Sequence, residues 1–173
     1  MRKKNILLVD GYNMIAFWES TRQLFKTNRL DEAREVLLRK LNHYAHFEHI
    51  EIICVFDAQH VPGHRQQYDS YQISVVFTKE DETADSYIER LAAELNQSAR
   101  YLVSVATSDL NEQWTVFSQG ALRVSARELE QRVETVKSDL DKMSAHIDLT
   151  TPRLGSLDDT QLNQLKQLLD DMK

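Results

Sequence analysis

Three aspartates, Asp10, Asp57 and Asp109, each lie at or just beyond the end of an apolar run. Uninterrupted apolar runs of this length are typical of strands that are buried on both faces of a parallel sheet. The carboxyl ends of such strands meet at one edge, which is where open α/β folds bind ligands. Because carboxylates held close together repel one another unless a cation neutralises them, this pattern predicts a divalent-metal site. Oxygen ligands favour Mg²⁺ or Mn²⁺, and the expected chemistry is that of phosphate esters.

A second group of acids lies in residues 80–85, where four of six positions are carboxylates. Glu82 and Asp85 are three apart, so they can share one face of the helix that begins here. Acids at a helix start also favour the helix dipole, which is the alternative role for Asp85. Asn13 either orients a ligand or caps the next helix, and Asp109 either binds metal or caps the helix that follows it.

Apolar strand-like segments alternate with helix-forming segments, which predicts a mainly parallel α/β sheet with helices on both faces. The residues alone leave the strand order open. If the first and fourth strands are neighbours, Asp10 and Asp109 face each other across a crevice. The remaining predicted elements are a helix over 14–25, a helix capped by Asp31, a strand over 71–77, a helix from the Thr83 cap to Leu95, a helix in which Trp114, Val116 and Phe117 face the core, and a strand over 120–124.

The last part of the chain carries narrow apolar seams. A capping box at Ser125 and Glu128 starts a long helix. Its apolar residues recur in alternating steps of four and three, which is typical of a coiled-coil seam. Residues 151–155 break this helix before a second seam. We therefore predict an α/β domain over residues 1–127 and a helical extension over 128–173, which either packs on the domain or serves as a docking arm.

The composition narrows the class of protein. The chain has 173 residues, 42% of them hydrophobic, which suits one folded domain with an appendage. No apolar run approaches the roughly 20 residues that span a bilayer. The single cysteine, Cys54, lies mid-strand and is expected to fill the core. These features predict a cytoplasmic protein that does not engage a membrane. The net charge of −6 argues only mildly against an anionic substrate, because metal would offset several site acids.

Other α/β chemistries lack their residues in this sequence. There is no G-x-x-x-x-G-K-[ST] and no G-x-G-x-x-G, so no nucleotide cofactor is expected. There is also no G-x-S-x-G nucleophile elbow. The lone cysteine and scattered histidines offer no tetrahedral zinc set. A loop with Pro62-Gly63 carries His60, His64 and Arg65 near the predicted edge, where they either contact phosphates or are ordinary polar loop residues.

Several short motifs follow one another along this chain. They are Val9-Asp10-Gly11-Tyr12-Asn13, Val55-Phe56-Asp57-Ala58, Phe77-Thr78-Lys79-Glu80, Glu82-Thr83-Ala84-Asp85, Ala106-Thr107-Ser108-Asp109, Gln113-Trp114 and the segment from Gly120 to Leu129. In their joint order and spacing they resemble the YacP-type NYN-domain family, and the resemblance runs from about Asn5 to the middle of the long helix.

This resemblance implies a PIN-like three-layer fold with strand order 3-2-1-4-5 and a metal-dependent endoribonuclease that cleaves messenger RNA on the ribosome. The residues that match the family's metal-binding catalytic acids are Asp10, Asp85 and Asp109. The matching supporting residues are Asn13, Asp57, Glu82 and Ser108. The candidates for RNA contacts are Arg123, Arg127, Lys79 and Arg65. The acidic end, Asp170-Asp171-Met172-Lys173, departs from the more basic end expected of a chain that docks on the ribosome.

Two other functions are compatible with the same residues. One is a module that binds RNA or the ribosome through a nuclease-like fold without cutting. The other is a phosphatase or a 5′-nuclease on DNA, which would use similar metal chemistry.

Overall fold

The computed structural model describes residues 3–58 and 72–150, and it describes the backbone but not the side chains of 110–113 and 147–150. The centre of this part of the chain is a five-stranded sheet in which all neighbouring strands are parallel. The strands are β1 (Lys4–Asp10), β2 (Glu51–Phe56), β3 (Ser74–Phe77), β4 (Tyr101–Ala106) and β5 (Leu122–Val124). Their order is β3-β2-β1-β4-β5. The α/β class and the strand order 3-2-1-4-5 are confirmed, and β1 and β4 are neighbours.

Helices cover both faces of the sheet, as expected for parallel βαβ connections. They are α1 (Gly11–Phe17), α2 (Glu19–Lys26), α3 (Leu30–Glu48), α4 (Ala84–Asn96), α5 (Leu110–Ser118) and α6 (Ala126–Thr150). The predicted start of α4 is confirmed, since the hydroxyl of Thr83 accepts the Ser86 N–H at 3.2 Å.

β1 is buried on both faces because its side chains alternate between two apolar cores. Leu7 and Val9 belong to one core, which residues of α1, α3 and α6 complete. Ile6 and Leu8 belong to the other core, which residues of α4 and α5 complete. The same alternation directs Asp10 to the α4 side of the sheet.

The predicted helix over 14–25 is wrong, because the segment is two helices that meet at Trp18. The backbone of Trp18 is extended, with φ −67° and ψ 136°, and residue 18 ends α1 and precedes α2. Its indole is fully buried, and Nε1–H donates to the carbonyl of Ala126 at 3.0 Å. The anchoring of the indole to a distant part of the chain holds this break, which no glycine or proline marks.

Asp31 is not the cap of its helix. α3 begins one residue earlier, at Leu30, and the residue before it makes no side-chain cap. Asp31 lies in the first turn and pairs with Arg34, whose side chain is only 2% exposed. The guanidinium of Arg34 also donates to the hydroxyl of Tyr12 at 2.8 Å. Because a buried cation needs such partners, the role of Asp31 is to compensate the charge of Arg34 and not to cap α3.

The two edge strands are shorter than predicted. The N–H of Gln72 donates to Oδ1 of Asn42 at 2.8 Å, so the chain bends there and pairing begins at Ser74. Before β5, Gly120 has φ +88° and the N–H of Ala121 returns to the carbonyl of Val116 at 3.1 Å. This helix-ending turn uses residues 120 and 121, which leaves three residues for the strand.

α5 does not bury all the apolar residues expected to face the core. Val116 is fully buried, but Trp114 is 64% exposed and Phe117 is 56% exposed. The prediction for these two aromatic residues is wrong, because the short edge strand next to the helix leaves that side of α5 uncovered.

The capping box at the start of α6 is confirmed. Oε2 of Glu128 accepts the Ser125 N–H at 3.2 Å, and Oγ of Ser125 accepts the Glu128 N–H at 3.1 Å. Leu129, Val133 and Val136 are buried, as the first part of the predicted seam requires.

Packing divides the chain into two units, Met1–Lys137 and Ser138–Lys173. The described residues of the second unit form the end of α6, where Lys142 lies 3.9 Å from Asp139. The second seam lies outside the described residues, and a boundary after residue 127 stays a prediction. Within the described part of the chain, no helix is long and apolar enough to cross a bilayer.

Candidate active site

Asp10 joins the central strand to the first helix without a connecting loop. It is the last residue of β1, and its carboxylate caps α1 by accepting the N–H of Asn13 at 3.2 Å. The side chain is 8% exposed although it is an acid. The sequence places it there because the apolar run ends at the sheet edge and the next residue, Gly11, can start a helix at once.

Gly11 is required by the close packing of β1 against β2. A Cβ atom at this position would lie 2.2 Å from Cε1 of Phe56, which is far inside contact distance. The Phe56 ring is held between two other aromatic rings, with centroids 5.1 Å from Tyr12 and 5.6 Å from Phe77. The backbone that carries Asp10 is therefore packed directly on the core.

Two further acids disfavour the ionised form of Asp10. Asp85, in the first turn of α4, is within hydrogen-bonding reach of the Asp10 carboxyl group, and Asp57, just after β2, is close enough to repel it. Burial is the main reason why the pKa of Asp10 rises from 3.8 to about 7, and the charges of Asp85 and Asp57 raise it further. The Asn13 N–H opposes this rise because it stabilises the ionised form. The structure thus places Asp85 and Asp57 near enough to Asp10 to disfavour its ionised form.

Asn13 links this corner to the end of β4. Its backbone N–H donates to the Asp10 carboxylate, and its side-chain Oδ1 accepts the N–H of Ser108 at 2.6 Å. The capping alternative for Asn13 is wrong, because Asp10 caps α1 and Asn13 lies in the first turn. Its amide oxygen holds the β4–α5 connection, and a role in orienting a ligand stays a prediction. Ser108 contributes its backbone here.

Asp109 lies on that same connection, three residues beyond the end of β4, and it is exposed. Its N–H donates to Oγ1 of Thr107 at 3.1 Å. The direct facing of Asp10 and Asp109 across the crevice stays a prediction, although their strands are adjacent.

Two buried threonines hold the edge of the sheet, and the sequence analysis missed both. Oγ1 of Thr78 accepts the N–H of Ala58 at 3.1 Å, which fixes the turn that carries Asp57. Thr107 donates its N–H to the carbonyl of Val124 at 3.1 Å. A small polar residue directly after an apolar run, as at both positions, was the pattern that could have indicated them.

The remaining supporting and RNA-contact residues are spread around the domain. Glu82 pairs with Arg90 at 2.7 Å, and its N–H donates to the carbonyl of Lys79 at 3.1 Å, which orders the turn before α4. Lys79 is exposed just beyond the carboxyl end of β3. Arg65 and its loop lie outside the described residues.

Arg123 and Arg127 lie on opposite sides of the sheet. Arg123 pairs in register with Val105, which faces the α4 side, and its guanidinium lies 5.6 Å from the ring centroid of Trp114. Arg127 lines a groove of about 580 Å³ with residues of α2, α3 and α6, among them Glu130. Only Arg123 is therefore on the same face as Asp10.

The chemistry of the acids at the sheet edge fits Mg²⁺ or Mn²⁺ with a small set of protein ligands. Mg²⁺ is commonly held by one or two carboxylates and completes its shell with water and phosphate oxygens. Asp10 and Asp85 could supply two such carboxylates, and the charges that raise the pKa of Asp10 are those of two acids, Asp85 and Asp57. Over residues 3–58 and 72–150, no three carboxylate, imidazole or thiol groups form an arrangement that could hold a metal ion. A ligand set that also includes Asp109 stays a prediction.

Comparison with known proteins places this architecture in a family. A model of the YacP-like NYN domain matches residues 7–170. The chain belongs to the YacP-like NYN domain family. The YacP protein of Bacillus subtilis (strain 168) is 48% identical to this NYN chain over 138 residues, which are 80% of either protein.

Two crystal structures of Rae1 (YacP) from Bacillus subtilis resemble this NYN chain over most of its length. One, a tryptophan-to-leucine mutant, has a TM-score of 0.74 and 42% identity, and it covers 91% of this chain and 90% of Rae1. The other has a TM-score of 0.73 and 40% identity, and it covers 96% of this chain and 91% of Rae1. The NYN domain described here therefore has a nuclease-like fold.

Proposed function

We propose that this NYN-domain protein is a metal-dependent endoribonuclease. The observation that carries the proposal is the buried carboxyl group of Asp10, which has Asp85 within hydrogen-bonding reach at the carboxyl edge of a parallel sheet. A buried acid beside a second acid is costly unless a cation or a proton compensates it. On a nuclease-like fold, this arrangement suits the binding of a divalent ion that meets the phosphates of RNA.

Asp10 and Asp85 would hold the ion, with Asp57 and Asp109 available to ligands around it. A divalent ion bound there neutralises charge on the phosphodiester and lowers the pKa of a coordinated water. The protein's own contribution is to fix the carboxylates. The Asn13 N–H holds one carboxylate oxygen of Asp10, and Thr78 fixes the turn behind Asp57. Burial keeps competing water away from the Asp10 side of the site.

The proposed substrate is messenger RNA engaged by the ribosome, with the reaction in the cytoplasm. Support for this finer proposal comes from the family resemblance of the motifs around Asp10, Asp85 and Asp109. Arg123 on the same sheet face as Asp10 supports an anionic polymer as substrate. The net charge of −6 makes non-specific RNA coating unfavourable, which is compatible with a substrate that another particle presents.

The test compares RNA cleavage by the unchanged protein with that by Asp10→Asn and Asp85→Asn, in Mg²⁺, in Mn²⁺ and in EDTA. We expect cleavage only with metal, and we expect each substitution to lower the rate by about 100-fold or more, because each removes a charged ligand from the site. Asp141→Asn is the matched control, since Asp141 is an exposed acid on α6. Circular dichroism confirms that each variant is folded.

Two substrates, naked messenger RNA and translating ribosomes, separate the possible outcomes. Cleavage of either one that depends on Asp10 supports the proposal. Undiminished cleavage by folded Asp10→Asn and Asp85→Asn variants would refute the role of these acids. Binding to ribosomes without cleavage in either system would instead favour a non-cutting binding module.

A further inference from the structure

Trp114 and Arg123 form an exposed stacking pair at the edge of the sheet. The indole of Trp114 is 64% exposed on α5, and the Arg123 guanidinium carbon lies 5.6 Å from its ring centroid. This distance is within the range of a cation–π contact. No carboxylate forms an ion pair with Arg123 among the described residues. The pair therefore presents an aromatic face and a positive charge to solvent.

Phe117 extends the apolar part of this surface. It is one turn beyond Trp114 on α5 and is 56% exposed. These large apolar side chains are exposed beside a basic group, at a position where the sequence pattern predicts a buried helix face. Exposed clusters of this kind commonly mark a binding site.

The pair lies on the same face of the sheet as the site acids. Val105 pairs with Leu8 on one side and with Arg123 on the other, and Leu8 and Val105 belong to the core beneath α4 and α5. Arg123 is thus level with Leu8, two residues short of Asp10 and two strands away. With about 4.8 Å between strands and 3.3 Å per residue, the backbones of Arg123 and Asp10 are about 12 Å apart.

We infer that Trp114 and Arg123 bind single-stranded RNA next to the cleavage site, with a nucleobase stacked on the indole and a phosphate at the guanidinium. The inference rests on the proposed function, which supplies RNA as the substrate. Stacking on aromatic side chains together with basic groups is how proteins hold unpaired RNA, and every base has a face that can stack. The arrangement selects a single strand, because the bases of a duplex are stacked on one another.

The structure offers a direct spectroscopic readout. The two tryptophans are Trp18, which is fully buried, and Trp114, which is exposed. A base that stacks on Trp114 should quench the exposed indole and leave Trp18 unaffected. Titration of the full chain in EDTA with a short uridine oligonucleotide, which has little structure of its own, measures binding without cleavage. Trp114→Phe, which keeps an aromatic ring, should lose most of the quenching.

We expect Trp114→Ala to weaken RNA binding about ten-fold, the loss typical of one stacked base. Arg123→Ala should weaken binding and reduce its salt dependence, since one phosphate contact is lost. The matched controls are Phe25→Ala on α2 and Arg39→Ala on α3, both exposed. These changes should leave the dissociation constant within two-fold, as expected of residues on other surfaces.

The possible outcomes distinguish this inference from the proposed function. Trp114-dependent RNA binding by a protein that never cleaves RNA would support this inference and would refute the proposed nuclease activity. Cleavage that needs Asp10 but is unchanged in Trp114→Ala and Arg123→Ala would overturn the inference alone. Absence of measurable RNA binding by the unchanged protein overturns it as well. If Trp114→Ala abolishes a dimer seen by sedimentation and leaves RNA affinity intact, the surface belongs to a second copy and the inference fails.

Discussion

The buried charge of Asp10 should make the metal-free protein less stable as pH rises, and Asp10→Asn should remove that penalty. The pKa of Asp10 is about 7 in the folded state, against 3.8 ordinarily, because burial and the neighbouring acids disfavour its ionised form. A pKa difference of this size corresponds to about 4 kcal/mol of unfolding free energy. Asparagine has nearly the same shape and can still accept the Asn13 N–H, so the helix cap is kept.

The sign follows from proton binding. Between pH 3.8 and about 7 the folded state holds the Asp10 proton while the unfolded state has released it, so unfolding releases a proton. The free energy of unfolding therefore falls with rising pH over this window, and the loss is complete above about pH 7. Below pH 3.8 both states are protonated and Asp10 contributes no pH dependence. Asp10→Asn should be close to the parent at pH 4 and more stable by roughly 2–4 kcal/mol at pH 8.

The assay is urea unfolding in EDTA at pH 4, 6 and 8, for the parent, Asp10→Asn and the exposed control Asp141→Asn. Addition of Mn²⁺ at pH 8 should stabilise the parent, because ion binding to the folded state compensates the same charge, and should not stabilise Asp10→Asn. The reasoning about the buried charge is wrong if Asp10→Asn is no more stable than the parent at pH 8. It is also wrong if the substitution raises the free energy of unfolding as much at pH 4 as at pH 8.

Three further substitutions test the packing and helix capping of the domain, each by the midpoint of urea unfolding. Gly11→Ala should cost about 1–3 kcal/mol because its Cβ would overlap the Phe56 ring, and a smaller loss on a Phe56→Leu background would confirm that cause. Ser125→Ala should cost about 1 kcal/mol through loss of the capping box, and an unchanged midpoint would exclude that role. Tyr12→Phe should cost about 1.5 kcal/mol because the buried Arg34 guanidinium loses an acceptor, and stabilisation would contradict the bond.

The sequence predicted the parts of this fold that depend on neighbouring residues. The apolar run before Asp10 is buried as a central strand, because a strand flanked by two others has no polar face. Ser125 and Glu128 form the expected capping box, since both partners lie within one helical turn. Asp85 falls in the first turn of a helix that starts at Thr83, as the local pattern indicated.

Features that depend on distant contacts could not be predicted in this way. The helix break at Trp18 is fixed by a hydrogen bond to Ala126, and the two residues are 108 positions apart. The role of Asn13 depends on Ser108, which reaches it only because β1 and β4 are adjacent. The strand order that makes them adjacent came from the family resemblance, because the residues alone left it open.

Hydrophobic periodicity also failed where the sheet ends. Trp114 and Phe117 have the spacing of a buried helix face, but they are largely exposed because β5 is only three residues long. An apolar residue next to an edge strand can serve either the core or a ligand, and spacing does not separate the two. The same ambiguity held for Asp31. The local pattern predicted a helix cap, but the side chain pairs with the buried Arg34 instead.

The direct passage from β1 into α1 at Asp10 has a consequence for how the site moves. Asp10 pairs in register with Val55 on β2, and Val9 before it pairs with Ala106 on β4. A local opening large enough to displace this acid would have to separate the middle of the sheet, which requires nearly the whole free energy of unfolding. Backbone hydrogen exchange at the end of β1 should accordingly be among the slowest in the protein. Adaptation to different substrates would then arise from the surrounding loops and edge strands, while the acid at the centre keeps its place.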